Sequence, residues 1–162
     1  PSWELVASAS PETIADSIRP AGLAKTKSER MLQILAAIKE RFAEYSLVAL
    51  KDTDNNAVRE YLFSLPGIGA KTVACVMLFD LGMPAFPVDT HIARFCRRMK
   101  WAKESLTPDE IQPFLEEWIP EKRFLGGHVN IIEHGRGLCH ARTPECGKCP
   151  LKSNNLCPSA QE

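Results

Sequence analysis

The motif LPGIGAKT, residues 65–72, constrains the fold more than any other stretch of this chain. The ten residues before it, 55–64, carry apolar side chains at helical spacing, and the run 72–81 after it is almost wholly apolar. Two glycines between two helical patterns predict a tight turn, because glycine adopts backbone conformations that other residues avoid. We therefore interpret residues 55–81 as a helix–hairpin–helix whose second helix is buried.

A turn of this kind also predicts a binding site for phosphate. The main-chain amides of the turn and of the following helix start point outward, where they attract an anion. The residues expected to present this surface are Leu65, Gly67, Gly69 and Thr72. Lys71 is expected on the first turn of the second helix. A plain connector between helices remains the alternative, whereas a P-loop is excluded because that motif needs glycines at both ends and a preceding strand.

Composition limits the classes of function that need to be considered. The 162 residues are enough for one domain or two small ones, and the net charge is zero. Binding to nucleic acid therefore has to depend on local basic surface. Two groups of residues provide such surface: Arg94, Arg97, Arg98, Lys100 and Lys103, and then Arg136, Arg142, Lys148 and Lys152. Arg94 is our predicted DNA contact in the first group, and a solvated helix face is the alternative interpretation of either group.

No run of residues is long and apolar enough to span a membrane, and no signal peptide is recognisable. We therefore expect an intracellular protein, in the cytoplasm or nucleoid if the source is prokaryotic, and we expect it to be a monomer.

Helix signals are frequent and strand signals are scarce, so the sequence predicts an all-α fold. A short helix is expected over residues 11–18, and a capping box at residues 26–29 is expected to open a helix that runs to about residue 45. Asp89 is placed to cap a helix that ends near Trp101. A second capping box, at residues 107–110, opens a further helix.

The helix after residue 107 is expected to bury one face, and residues 121–138 are expected to continue as helix. The residues predicted on the buried face are Ile111, Phe114, Leu115 and Trp118. In the following helix Phe124, His128, Ile131 and Ile132 are expected to point inward.

The six cysteines are unevenly distributed. Cys75 and Cys96 lie in helical stretches, where packed thiols are expected. The remaining four are Cys139, Cys146, Cys149 and Cys157, with six, two and seven residues between them. Four thiolates in one short loop suit a tetrahedral metal ion or a [4Fe–4S] cluster. One Cys-x-x-Cys pair with two longer arms favours the iron–sulfur cluster; zinc remains the alternative, and disulfides are disfavoured.

Taken in order, four segments resemble the endonuclease III branch of the helix–hairpin–helix DNA glycosylases. They are LPGIGAKT, then FPVDTH at residues 86–91, then HGR at residues 134–136, then the four-cysteine loop. The resemblance extends from about Gly22 to Cys157. It implies two helical domains with a DNA-binding cleft between them, which we place at residues 1–83, with the hairpin, and 84–162, with the cluster loop.

The resemblance further implies base-excision repair of double-stranded DNA. The expected reaction is removal of a damaged pyrimidine, oxidised in the usual case, followed by cleavage at the abasic site. By position, Lys71 matches the nucleophile that attacks the sugar C1′, and Asp89 matches the carboxylate that assists it. The hairpin glycines match the phosphate-binding turn, and the four closely spaced cysteines match the cluster ligands.

The chemistry of lysine agrees with lyase activity. An amine bound to C1′ becomes a Schiff base, which a hydroxyl or water nucleophile cannot form. The Schiff base acidifies the C2′ hydrogen and permits elimination of the 3′ phosphate. Lys71 has to attack as a neutral amine, and we expect the positive end of its helix and partial burial to favour that form.

The sequence departs from the family pattern in two places. The last cysteine arm has seven residues where five are usual. Family members also carry earlier helices, one with a Gln that fills the space left by the flipped base, and residues 1–21 show no counterpart. A chain shortened at its N terminus is therefore expected. A non-catalytic DNA-binding module with an iron–sulfur or zinc site, and a glycosylase for mismatched thymine or uracil, remain alternatives; some relatives act on 5-methylcytosine.

Overall fold

The structure is a computed structural model that describes residues 2–160, and it contains no β-strand over that range. The all-α prediction is confirmed. The α-helices are α1 (Trp3–Ser8), α2 (Pro11–Ser17), α3 (Ala24–Phe42), α4 (Asn55–Ser64), α5 (Ala70–Cys75), α6 (Thr90–Arg98), α7 (Pro108–Trp118), α8 (Phe124–Gly137) and α9 (Pro150–Ser153). Within residues 2–160 no helix is long and apolar enough to cross a membrane.

The chain divides between Gly69 and Ala70 into two compact units, one with α1–α4 and one with α5–α9. The sequence placed a domain boundary later, after residue 83. The structural division falls earlier because residues 76–81 pack with the second unit, where Leu78 lies against the hydrophobic core.

In the first unit, α3 packs against α1 and α2. Its predicted apolar face is confirmed, since Leu35 and Ile38 are buried. α4 buries Val58 and Leu62 in the same way. An edge-to-face contact of 5.5 Å between the rings of Phe42 and Tyr61 connects α3 with α4.

The two predicted capping boxes have different outcomes. In α7 the box is formed: Glu110 N donates to Thr107 Oγ1 at 3.3 Å, and Thr107 N donates to Glu110 Oε2 at 2.7 Å. The box at Thr26 is wrong. α3 begins earlier, at Ala24, after Leu23 in a left-handed conformation, and no side chain caps it. Thr26 therefore lies inside the helix, where the first turn has already formed.

The core of the second unit forms where α6, α7 and α8 meet. Ile92, Ile111, Leu115 and Phe124 are buried in it. The prediction that Trp118 lies on the buried face of α7 is wrong, because its side chain is 66% exposed. It is the last residue of α7, so it projects beyond the core, where it contacts the ring of Phe114 at 4.6 Å.

The expected helix boundaries change at three other places. α6 ends at Arg98 and not near Trp101. A 3₁₀ turn, Glu121–Arg123, precedes α8. The apolar run after the hairpin is α-helical only to Cys75 and continues as a π-helix, Val76–Leu81.

The capping boxes provide a matched pair of stability measurements. Thr107→Ala removes an N-cap and is expected to lower the free energy of unfolding by about 1 kcal/mol. Thr26→Ala removes the same side-chain atoms where no cap exists, so a change of less than about 0.5 kcal/mol is expected. Urea unfolding of both variants checks this, and equal losses in the two would contradict the assignment of the helix starts.

Candidate active site

The hairpin turn requires glycine at one of its two glycine positions. Gly67 has φ of +73°, and a Cβ there would lie 2.6 Å from Arg30 Cδ. Ile68 N donates to Leu65 O at 3.3 Å, which closes the turn, and Leu65 is buried. Neither constraint applies at Gly69, because its φ is not in the left-handed region and an added Cβ would contact nothing within 4 Å. The main chain at Gly69 is therefore open on its Cβ side.

Lys71 and Thr72 lie in the first turn of α5, as predicted. Both side chains are exposed. The partial burial expected for Lys71 is therefore wrong. The amine is in contact with solvent, at the helix end where main-chain amides have no intrahelical partner.

Asp89 caps α6, as predicted. Its Oδ1 accepts hydrogen bonds from His91 N at 2.8 Å and from Ile92 N at 2.9 Å. Within residues 2–160, Oδ2 forms no hydrogen bond, and the carboxylate forms no ion pair with Lys71. One oxygen of this half-buried carboxylate is thus fixed by the helix, and the other is available.

The charges of Lys71 and Asp89 both affect the pKa values of Cys75 and His128. Burial raises the pKa of the Cys75 thiol; the charge of Lys71 opposes this shift and that of Asp89 adds to it. Burial lowers the pKa of His128, the Asp89 charge opposes that shift and the Lys71 charge adds to it. Because Coulomb interactions weaken with distance, Lys71 and Asp89 both lie near Cys75 and near His128.

His128 is buried and forms a hydrogen bond with Pro87, in the extended segment that precedes Asp89. Its Nδ1 lies 3.0 Å from Pro87 O, so Nδ1 carries the hydrogen and donates. The imidazole also contacts the rings of Phe79 at 5.3 Å and Phe86 at 6.2 Å. Its inward position confirms the sequence prediction, but its place beside the site was not foreseen.

Cys75 also borders the site without having been predicted to do so. A signal was present in the sequence, since Cys75 follows Lys71 by four residues and such pairs lie on one face of a helix.

Arg94 connects α6 with α8 and with the first cysteine of the loop. Its Nη2 donates to Gly135 O at 3.0 Å and its Nε donates to Cys139 O at 3.1 Å. Nη2 also lies 3.0 Å from His91 Nδ1. The donors of Arg94 are thus used inside the second unit, and its contact with DNA remains a prediction.

The glycine of the HGR segment is explained by the packing of α6 on α8. A Cβ at Gly135 would lie 3.0 Å from His91 Nδ1 and 3.3 Å from Arg94 Nη2. A side chain there would require His91 and Arg94 to shift from their places between the two helices.

The four closely spaced cysteines line one cavity of about 50 Å³. Much of the remaining lining is apolar: Phe95, Met99, Leu138, Pro144 and Leu151. His134 Nε2 lies 3.8 Å from Cys149 Sγ at the edge of this cavity. His140 is absent from the lining and instead approaches Glu145 at 3.6 Å.

The spacing of the thiols around this cavity bears on the kind of metal site that they could form. Among the described residues, no three His, Cys, Asp or Glu side chains converge closely enough to bind one metal ion. A lone zinc needs all its ligands at about 2.3 Å from one point. An iron–sulfur cluster binds each thiolate through a different iron and therefore spreads the ligands around a cavity.

Comparison with known proteins identifies the family. A model for the HhH-GPD superfamily of base excision DNA repair proteins matches residues 1–121. The chain belongs to the HhH-GPD superfamily.

Several members of the HhH-GPD superfamily resemble this chain over nearly its whole length. Endonuclease III of Thermotoga maritima is 32% identical over 151 residues, 92% of this chain and 65% of that protein. DNA glycosylase/AP lyase ROS1 of Arabidopsis thaliana is 28% identical over 167 residues, 93% of this chain and 12% of that protein. The chain thus spans about a tenth of the plant relative and about two thirds of the bacterial one.

A solved structure of the same superfamily shows the likeness in three dimensions. Endonuclease III in a trapped covalent intermediate with DNA superposes with a TM-score of 0.80 at 28% identity, over 96% of this chain and 68% of that one.

The burial of His128 predicts that stability falls on the acid side of neutrality. Its folded-state pKa is lowered, so the unfolded chain takes up the proton more readily, and stability is lost as the pH falls below about 6.5. His128→Asn keeps a donor for Pro87 O and does not titrate. We expect the loss of unfolding free energy between about pH 7 and pH 5 to be smaller in this variant. Identical pH dependence in wild type and variant would contradict this.

Proposed function

We propose that this chain is a DNA glycosylase with DNA-(apurinic or apyrimidinic site) lyase activity, with Lys71 as nucleophile and Asp89 as its assisting carboxylate. The observation that carries the proposal is the Asp89 carboxylate, which has one oxygen fixed by the amides that begin α6 and which lies, like the charge of Lys71, near Cys75 and His128. An exposed amine and a carboxylate with one uncommitted oxygen supply the two groups that the reaction needs.

The proposed substrate is double-stranded DNA that contains an abasic site or a damaged pyrimidine, oxidised in the usual case. A base inside a duplex is inaccessible, so it has to leave the stack at a cost of about a few kcal/mol. The open main chain at Gly69 and the amides that begin α5 are suited to hold a backbone phosphate while this happens.

The reaction itself proceeds through the Lys71 amine. Its nitrogen forms a bond to C1′, and the bond from C1′ to the base breaks, so that the base leaves with that electron pair. Loss of a proton from nitrogen and opening of the sugar give a Schiff base. Removal of a C2′ proton then expels the 3′ phosphate, and water releases the lysine.

Asp89 has two roles in this proposal, one for each oxygen. Oδ1 is held by the amides that begin α6. Oδ2 is available to accept a proton from the amine or to stabilise positive charge that develops on the sugar. Because Lys71 is exposed in the free protein, water has to be excluded from the amine by the bound DNA.

The proposed cofactor is a [4Fe–4S] cluster held by Cys139, Cys146, Cys149 and Cys157, with zinc as the alternative. The four thiols around one largely apolar cavity support the cluster. When bound, such a cluster cross-links a loop that is too small to have a core of its own. We assign it this structural role and no step in the chemistry.

The covalent step is tested by trapping. Borohydride reduction of the wild type with an abasic duplex is expected to give a stable protein–DNA adduct, because it reduces the Schiff base. Lys71→Ala is expected to give none, and Lys122→Ala, which removes an exposed lysine of the 3₁₀ turn before α8 that lies outside both basic groups, is expected to react like the wild type. DNA binding without an adduct in the wild type would favour a non-catalytic module.

Two substitutions of Asp89 separate capping from catalysis. Asn caps helices about as well as Asp, so Asp89→Asn is expected to unfold within about 0.5 kcal/mol of the wild type, whereas Asp89→Ala is expected to lose about 1 kcal/mol. Both are expected to slow base removal by about a hundredfold or more. Single-turnover rates and urea unfolding measure the two effects. An Asn variant with the wild-type rate would show that Asp89 is only a cap.

A further inference from the structure

Arg98, the last residue of α6, contacts three consecutive residues at the start of the cysteine loop. Its Nη1 lies 2.9 Å from Cys139 Sγ, 3.2 Å from Cys139 O and 2.8 Å from His140 O. Its Nη2 donates to Ala141 O at 3.0 Å. One guanidinium therefore holds the main chain at the first cysteine and at the two residues after it, and it also reaches the sulfur atom.

The same residue also contacts the other end of the loop. Ser159 Oγ donates to Arg98 O at 2.8 Å, two residues after Cys157. The main-chain bonds within the loop are local, as in Glu145 N to Leu138 O and Cys157 N to Leu151 O. Arg98 thus contacts both ends of the loop: its guanidinium binds the start, and its carbonyl oxygen accepts a hydrogen bond from the end.

We propose that Arg98 is a positioning residue for the iron–sulfur cluster, which fixes Cys139 as a ligand and places its charge beside that thiolate. This inference rests on the proposed cofactor. Groups that orient metal ligands typically change metal affinity by roughly ten- to a hundredfold when they are removed. A hydrogen bond from a cation to a thiolate is also among the stronger hydrogen bonds of proteins.

The number of acceptors explains why the residue is an arginine. The guanidinium has five N–H donors in a rigid plane, whereas a lysine ammonium is a compact point charge. Lysine at this position keeps the charge, but it cannot reach the sulfur and three carbonyls together. Geometry and charge can therefore be tested separately.

The neighbouring Arg97 provides a matched control. It is on the same helix and has the same charge, but its Nη2 donates to Leu106 O, away from the loop. A substitution of Arg97 removes a guanidinium from α6 without touching Cys139.

The experiment compares Arg98→Gln, Arg98→Lys and Arg97→Gln with the wild type, all loaded with the cluster. The first measurement is the rate at which an iron chelator bleaches the visible absorption. We expect Arg98→Gln and Arg98→Lys to lose the cluster roughly tenfold faster than the wild type, and Arg97→Gln to match the wild type.

The second measurement is the reduction potential of the cluster, which a purely structural role would not change. It is expected to become more negative in Arg98→Gln and to stay closer to the wild-type value in Arg98→Lys, which keeps the charge.

A third measurement needs no cluster. Hydrogen exchange of the Cys139 and Glu145 amides in metal-free protein is expected to be faster in Arg98→Gln than in Arg97→Gln, because the start of the loop is no longer held.

The outcomes distinguish this inference from the proposed function. A wild type that forms no visible band on reconstitution with iron and sulfide would overturn the proposed cofactor, and with it the role of Arg98. A normal band that Arg98→Gln retains as long as the wild type would overturn only the role of Arg98. Wild-type cluster retention in Arg98→Lys would also overturn it, because charge without the planar geometry would then suffice.

Discussion

The structure depends on the carboxylate that begins α6. Asp89 Oδ1 satisfies two main-chain amides that would otherwise have no partner at this helix end. From that point α6 places Ile92 and Cys96 in the core and directs Arg94 and Arg98 toward α8 and the cysteine loop. The ten residues from Asp89 to Arg98 span roughly 14 Å of rigid helix. The proposed catalytic carboxylate and the proposed ligand-positioning residue are therefore at the two ends of one element.

This arrangement gives the proposed cluster a mechanical connection to the proposed active site. Arg94 bonds Gly135 O and Cys139 O, and Arg98 bonds three carbonyls of the loop. Loosening of the loop would remove partners from both arginines and weaken the contact between α6 and α8. A structural cofactor can thus influence the orientation of Asp89 without taking part in the chemistry.

The features that the sequence predicted correctly are set by neighbours along the chain. The cap at Asp89 and the capping box at Thr107 depend on residues two or three positions away. The features that it missed depend on distant residues. Trp118 has apolar spacing but no core opposite it. The error at Thr26 is a local exception, because its spacing fits a capping box but the helix has already begun at Ala24. The exposure of Lys71 and the places of Cys75 and His128 around it also required the folded chain.

The path from Lys71 to Asp89 shows how distant residues form the site. The two residues are 18 positions apart, and the helix that starts with α5 has to end before the chain can return. The π-helix after Cys75 ends this run: Met83 N donates to Met77 O at 2.8 Å, and Gly82 reverses the chain at φ of +69°.

π-Helical turns are often found at functional sites. Here the wider turn buries Met77 and Leu81 while it leaves Phe79 half exposed against His128. The imidazole then holds Pro87 O, two residues before Asp89. The buried histidine thus connects the end of this helix to the start of α6, and it brings Asp89 back toward the helix that carries Lys71.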